Sequence, residues 1–197
     1  MKLVFATRNQ GKMKEMRAML TGIKIEVVSM EESGVSEEVI EDCKTFEGNA
    51  LKKARFIASR TGQWALGEDS GICIKALRGA PGVYSARWAG AGASDEKIVR
   101  YTLEQMKDVP EGKRQAWFKT ALALVAPDGK ERIFRGRVDG ALCIEPRGTM
   151  RAKLPYDTIF IPKGDTRTFA EMSDTEKNSV SHRGRAFAKF KEFLKAL

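Results

Sequence analysis

Apolar and polar positions along this chain repeat in two rhythms. Leu3 to Ala6 are apolar without a break, and residues 2–6 read as a buried strand. Met13, Met16, Met19 and Leu20 then recur near helical spacing and predict a helix over 11–20, with Asn9 placed to cap it. Residues 24–29 alternate and predict a second strand. Thr45 opens a helix running to about residue 59, whose apolar side holds Phe46, Ala50, Ala54, Ile57 and Ala58. A short strand at Ala65 and Leu66 ends in the turn Gly67-Glu68-Asp69-Ser70-Gly71, and 72–77 continue extended. Residues 79–92 hold four glycines and a proline, which predicts an ordered loop with no regular element. Ser94 caps a helix over 94–107. Residues 116–125 and 132–138 form a hairpin around Pro127-Asp128-Gly129. Further strands are expected at 141–144 and 158–161, and a final helix at 183–197 with Phe187, Phe190, Phe193, Leu194 and Leu197 on one face. Helices alternating with strands early, and a hairpin in mid-chain, predict an α/β fold with a mixed sheet.

Length and composition narrow this picture. A chain of 197 residues, 42% hydrophobic and 31% charged, can bury one core as a single domain, or one domain with two lobes. No apolar run nears the roughly 18 residues of a membrane span, and no secretory leader is expected. Cys43, Cys73 and Cys143 are odd in number and far apart, which suits reduced packing residues and a cytoplasmic setting. His182 is the only histidine, so a metal must be held by oxygens, as Mg²⁺ is. The net charge of +9 suits an anionic partner, although a solvated surface explains it equally. Six acids between Ser29 and Asp42, with no Lys or Arg, contrast with the basic stretch from Lys163 onward.

Four polar clusters stand apart from the packing pattern. Thr7-Arg8-Asn9-Gln10-Gly11-Lys12 follows the first strand at the end where α/β sheets bind ligands. It matches neither the Walker A nor the G-x-G-x-x-G pattern. Its hydroxyl, amide and ammonium at a helix N-terminus suit an anion, or simply make a capped turn with a solvated lysine. Asn49 and Lys53 are four apart and share a helix face, either as phosphate binders or as solvated polar residues. In Glu68-Asp69-Ser70, Asp69 could bind a metal or orient water and Ser70 could donate to a phosphate; acids in such turns also serve only as turn formers. Lys177, Asn178, Ser181, His182 and Arg183 crowd one polar stretch before the last helix.

Taken together, these stretches resemble the inosine triphosphate pyrophosphatase family, Mg²⁺-dependent enzymes that remove non-standard purine nucleoside triphosphates. The resemblance runs along nearly the whole chain in order: T-R-N-Q-G-K at 7–12, N-A-L-K-K-A at 49–54, E-D-S-G at 68–71, L-R-G-A-P-G-V-Y-S-A-R at 77–87, F-I-P-K-G-D-T-R-T-F-A-E-M at 160–172 and E-K-N-S-V-S-H-R-G-R-A at 176–186. It implies an elongated mixed sheet flanked by helices, two lobes with the substrate in the cleft between them, and a homodimer. It implies triphosphate contacts from the 7–12 turn, notably Thr7, Asn9 and Lys12, and from Lys53. Asp69 becomes the catalytic base and, with Glu41, a metal ligand. Ser70 touches substrate, and Lys177, His182 and Arg183 face the base. The implied reaction is attack of water on the α-phosphorus, giving a monophosphate and pyrophosphate.

Two departures bear on that expectation. Leu154-Pro155-Tyr156-Asp157 stands where the family usually has F-G-Y-D; leucine has no aromatic face to stack on a base, and proline fixes φ where glycine is free. Gly48 stands where a glutamate usually precedes Asn-Ala. The phosphate and metal half is unchanged, so base preference is the open point. A pyrophosphatase for other modified or pyrimidine triphosphates is one alternative. A basic nucleic-acid-binding module is the other, with no RNP-like or helix-turn-helix pattern to support it.

Overall fold

The first strand sets the frame of this computed structural model, which describes residues 1–197. β1 (Lys2–Phe5) pairs in parallel with β2 (Glu26–Ser29) on one side and with β3 (Trp64–Ile74) on the other, Val4 lying opposite Val28 and Ala65. β4 (Gln115–Val125), β5 (Glu131–Leu142) and β6 (Phe160–Pro162) complete one six-stranded sheet in the order β2-β1-β3-β4-β5-β6. β6 runs antiparallel to β5, so the sheet is mixed, as expected. Five helices accompany it: α1 (Gln10–Met19), α2 (Phe46–Thr61), α3 (Asp95–Gln105), α4 (Asp174–Val180) and α5 (His182–Lys195). No helix is long and apolar enough to cross a membrane.

The chain divides into two units, each with its own core. The first comprises Met1–Asp69, Thr120–Gly136 and Ala186–Leu197; the second comprises Ser70–Lys119 and Arg137–Arg185. In the first unit, alternation along β1 sends Leu3 and Phe5 to one face of the sheet, against Met13 and Met16 of α1 and Phe187 and Phe190 of α5. Val4 faces the other way, with Ile57 of α2, Ala65 and Met30. The second unit buries Ile72 and Ile74 with Ile98 and Val99 of α3, and clusters the rings of Phe118, Phe160 and Phe169.

The predicted caps hold: Asn9, Thr45 and Ser94 accept from the backbone N–H of Lys12, Gly48 and Lys97. Several boundaries differ. The Gly67–Gly71 stretch is no turn, because β3 runs straight through it. Gly67 is there for contact: a Cβ on it would lie 2.0 Å from the Ala50 carbonyl oxygen of α2. The strand expected at 141–144 is the end of β5, and the one at 158–161 is shortened by a 3₁₀ turn over Pro155–Thr158. Two more 3₁₀ turns, Lys75–Leu77 and Gly82–Arg87, replace the extended tail and part of the glycine-rich loop. The polar stretch before the last helix contains α4, opened by a capping box of Ser173 and Glu176. All three cysteines are free, with Cys73 and Cys143 buried.

Candidate active site

The T-R-N-Q-G-K turn is built by its own side chains. The Thr7 hydroxyl accepts from the Asn9 N–H at 3.2 Å, and the Asn9 side chain accepts from the Lys12 N–H at 3.1 Å. This opens α1 at the carboxyl end of β1. Thr7, Arg8, Asn9 and Lys12 then line a cavity of about 250 Å³ together with Glu38, Glu41, Lys53 and Glu68. Gln10 and Gly11 are exposed in the first turn of α1 and are not among the cavity walls. Arg8 donates to the Ser36 carbonyl and lies 4.0 Å from Glu31.

Cations and carboxylates alternate around this cavity. Lys12 pairs with buried Glu68 at 3.4 Å, and Lys53 pairs with Glu41 at 3.1 Å. Glu68 and Asp69 are neighbours on β3, so their side chains leave opposite faces. Glu68 goes to the α1 side and its partner Lys12. Asp69 goes to the α2 side, where the Asn49 amide donates to it at 2.9 Å. Thr120 of β4 donates to the Asp69 carbonyl at 3.2 Å. Burial pushes the Asp69 carboxyl up to about 6, against the pull of Lys53 and the Asn49 amide, while Glu41 adds to the rise. Such a group is ionised at neutral pH and still basic enough to accept a proton.

Oxygen donors alone supply the metal-binding capacity here. No three of the acids, cysteines or histidine converge into a closed cage. Magnesium commonly takes only one or two carboxylates and completes its shell with phosphate oxygens and water, so Glu41 and Asp69 fit it.

The remaining predicted residues belong to the second unit. Asp157 and Lys177 are both buried and pair at 2.5 Å, with Arg151 at 3.8 Å from the same carboxylate. Burial raises the Asp157 carboxyl and the Lys177 ammonium opposes it. The His182 ring stacks on Phe118 with centroids 4.6 Å apart. Arg183 is 5% exposed, beside His182 at the start of α5. Ser70 is half-buried on β3. Leu154 precedes the 3₁₀ turn that Pro155 opens. The Tyr156 hydroxyl donates to the Ser85 carbonyl at 2.9 Å. Sequence reasoning passed over Thr120 and Arg151, which carry no local signal, and counted Glu38 only as one of the six acids between Ser29 and Asp42. It named Glu68 without a role and put Asn49 on the Lys53 face without a partner.

Fold and site together define an α/β protein with a lysine-and-carboxylate cavity at the end of a parallel strand. A model of the Ham1 family matches residues 3–193, and the chain belongs to that family. It is 47% identical over 196 residues to the dITP/XTP pyrophosphatase of Symbiobacterium thermophilum, covering 100% of this chain and 96% of the relative. The dITP/XTP pyrophosphatase of Geobacter sulfurreducens is 45% identical over 193 residues, covering 98% and 96%. Among solved structures, a HAM1 protein from Coxiella burnetii superposes with a TM-score of 0.92 at 35% identity over 100% of both chains. The dITP/XTP pyrophosphatase of Mycobacterium abscessus gives 0.80 at 41% identity over 96% of this chain and 98% of its own.

Proposed function

We propose that this chain hydrolyses non-standard purine nucleoside triphosphates (ITP, dITP and XTP) to the monophosphate and pyrophosphate, with Mg²⁺ as cofactor. One observation carries the reading: Lys12, Lys53, Glu41 and Glu68 line a single cavity with the Thr7–Asn9 turn, beside a buried carboxyl whose proton affinity is raised to about 6. The names of the full-length relatives supply the substrate class.

In this mechanism Thr7, Asn9, Lys12 and Lys53 take the triphosphate oxygens, and the N-terminus of α1 adds its partial positive charge. Asp69 accepts a proton from the water whose oxygen attacks the α-phosphorus. The bond from that phosphorus to the bridging oxygen of the β-phosphate breaks, and pyrophosphate leaves with that oxygen. Lys12 and Lys53 offset the charge that develops on it. Glu41 and Asp69 would hold Mg²⁺, which when bound neutralises phosphate oxygens and polarises the reacting phosphorus. Ser70 contacts substrate, while Lys177, His182 and Arg183 read the base. Hypoxanthine and xanthine carry an acceptor oxygen at C6, which donors such as Arg183 can meet. Adenine carries an amino donor there and would leave them unpaired. The enzyme is taken to act in the cytoplasm as a homodimer, on a free nucleotide and not on nucleic acid.

The test is pyrophosphate release with Mg²⁺ from ITP, dITP, XTP, GTP, ATP, dTTP and CTP. Turnover of the first three well above the rest is expected, falling by at least about 10³-fold in Asp69→Asn. Arg183→Ala should narrow the gap between ITP and ATP by about tenfold or more. Equal turnover across bases would instead favour a pocket remade by Leu154 and Pro155.

A further inference from the structure

Asn49 is fully buried, with 0% of its surface exposed, yet it lies in an α2 turn whose other inward residues are Phe46, Ala50 and Lys53. A buried amide must find partners for both its carbonyl and its NH₂, or lose their hydration without compensation. Asn49 finds them in two different parts of the chain. Its Oδ1 accepts from the Cys43 backbone N–H at 2.9 Å. Its Nδ2 donates to Asp69 Oδ2 at 2.9 Å. The orientation of the amide is fixed by chemistry: a backbone N–H can only donate, so the carbonyl end must face Cys43 and the donor end must face the carboxylate.

The two partners flank the proposed chemistry. Asp69 is the proposed base. Cys43 is two residues from Glu41, in a segment with no regular secondary structure of its own. That segment lies close on the helix, because a Cβ on Gly48 would come within 2.9 Å of the Cys43 Cβ. Glycine at position 48 therefore leaves room for this approach, since any side chain there would press on Cys43. Asn49 lines no part of the cavity, and Lys53, one turn further along α2, makes the cavity contact instead.

We infer that Asn49 is a positioning residue for the reaction: one amide fixes the rotamer of Asp69 and the register of the Glu41 segment together, through Nδ2 and Oδ1. The inference rests on the role proposed for Asp69. The hydrogen bonds themselves do not depend on it.

Asn49→Asp tests this, because it keeps size and shape, keeps an oxygen for the Cys43 N–H, and replaces the donor to Asp69 by a second carboxylate oxygen. The exchange Asn49→Asp with Asp69→Asn restores one donor and one acceptor across the pair. Steady-state kinetics with ITP and Mg²⁺ are measured at a temperature where circular dichroism shows every variant fully folded, and melting is followed in parallel. In Asn49→Asp, kcat should fall about 100-fold while KM stays within about threefold, since the phosphate-binding groups are untouched. Its melting temperature should fall by about 10 °C, and the exchange should recover more than half of that fall while remaining inactive. A kcat within threefold of the unmodified protein overturns the inference, as does a rise in KM at unchanged kcat. An exchange variant that melts no higher than Asn49→Asp also overturns it. If Asn49→Asp does not fold, the exchange must fold, and its failure to do so counts against the inference in the same way. Should the unmodified protein release no pyrophosphate from any triphosphate, the functional reading fails, and the melting comparison still decides whether Asn49 orients Asp69.

Discussion

Asp69 carries opposing forces that can be read by titration. Burial favours its neutral form, and Lys53, Lys12 and the Asn49 amide favour its charge. The balance leaves the folded carboxyl near 6, against 3.8 as its ordinary value. The folded state therefore binds more protons than the unfolded state between these two values. The stability this contributes is complete below about pH 4 and is lost as pH rises through 6. A rise of that size corresponds to about 3 kcal/mol. In the presence of a chelator, Asp69→Asn should gain about 3 kcal/mol relative to the unmodified protein between pH 4 and pH 8, read from urea unfolding. A constant difference across that range would show that Asp69 titrates normally. At this scale the sequence was partly readable. Glu68 and Asp69 stand out as a pair, but only the strand geometry sends one to Lys12 and the other to Asn49. The Asp157–Lys177 pair joins residues 20 apart in the chain, a separation at which no local pattern signals contact.

Among elements, helix starts were legible and the glycine-rich stretches were not. An N-cap is a local signal, so Asn9, Thr45 and Ser94 could each be read within a few residues of the helix they open. The capping box of α4, Ser173 with Glu176, carries the same signal inside a stretch that looked merely polar. Gly67 has the opposite character. Glycine in a strand pattern reads as a break, whereas here it lets the backbone of α2 approach β3, a property of the partner element that no local window contains. Gly67→Ala should destabilise the protein by about 3 kcal/mol or more, since backbone and not a flexible side chain blocks the methyl group. Gly112→Ala is the control, because a Cβ there meets nothing within 4 Å. Thermal melting should separate the two by about 6 °C or more. Equal melting temperatures would mean that α2 can shift at no cost.

For the whole molecule, fold class followed from the alternation of elements, whereas two lobes were expected from the family resemblance and the boundaries of the two units could not be read. Both units are discontinuous in sequence, and no composition change marks where the chain passes from one to the other. The first unit is closed by α5, whose Phe187, Phe190 and Leu194 are at most 8% exposed among Leu3, Phe5, Met13 and Met16. Each buried aromatic or leucine is worth about 2–5 kcal/mol, so losing all three costs about as much as the roughly 5–15 kcal/mol by which domains are stable. Deleting residues 186–197 should therefore abolish protection of the β1 and α1 amides in hydrogen exchange. Retained protection there would show that the first unit closes without α5.

The order of those segments also sets a timetable at the ribosome. β1 and the turn proposed to bind phosphate are made before any residue of the second unit, while the part of α5 that covers β1 is translated only after every residue of it. Newly made Leu3 and Phe5 must wait through some 180 codons for the aromatic residues that shield them. At about 5–20 residues per second, that is roughly ten to forty seconds in which the nascent chain exposes an apolar strand. Pausing before α5 is made would lengthen this interval, and chaperones that hold extended apolar segments would find their binding site at β1.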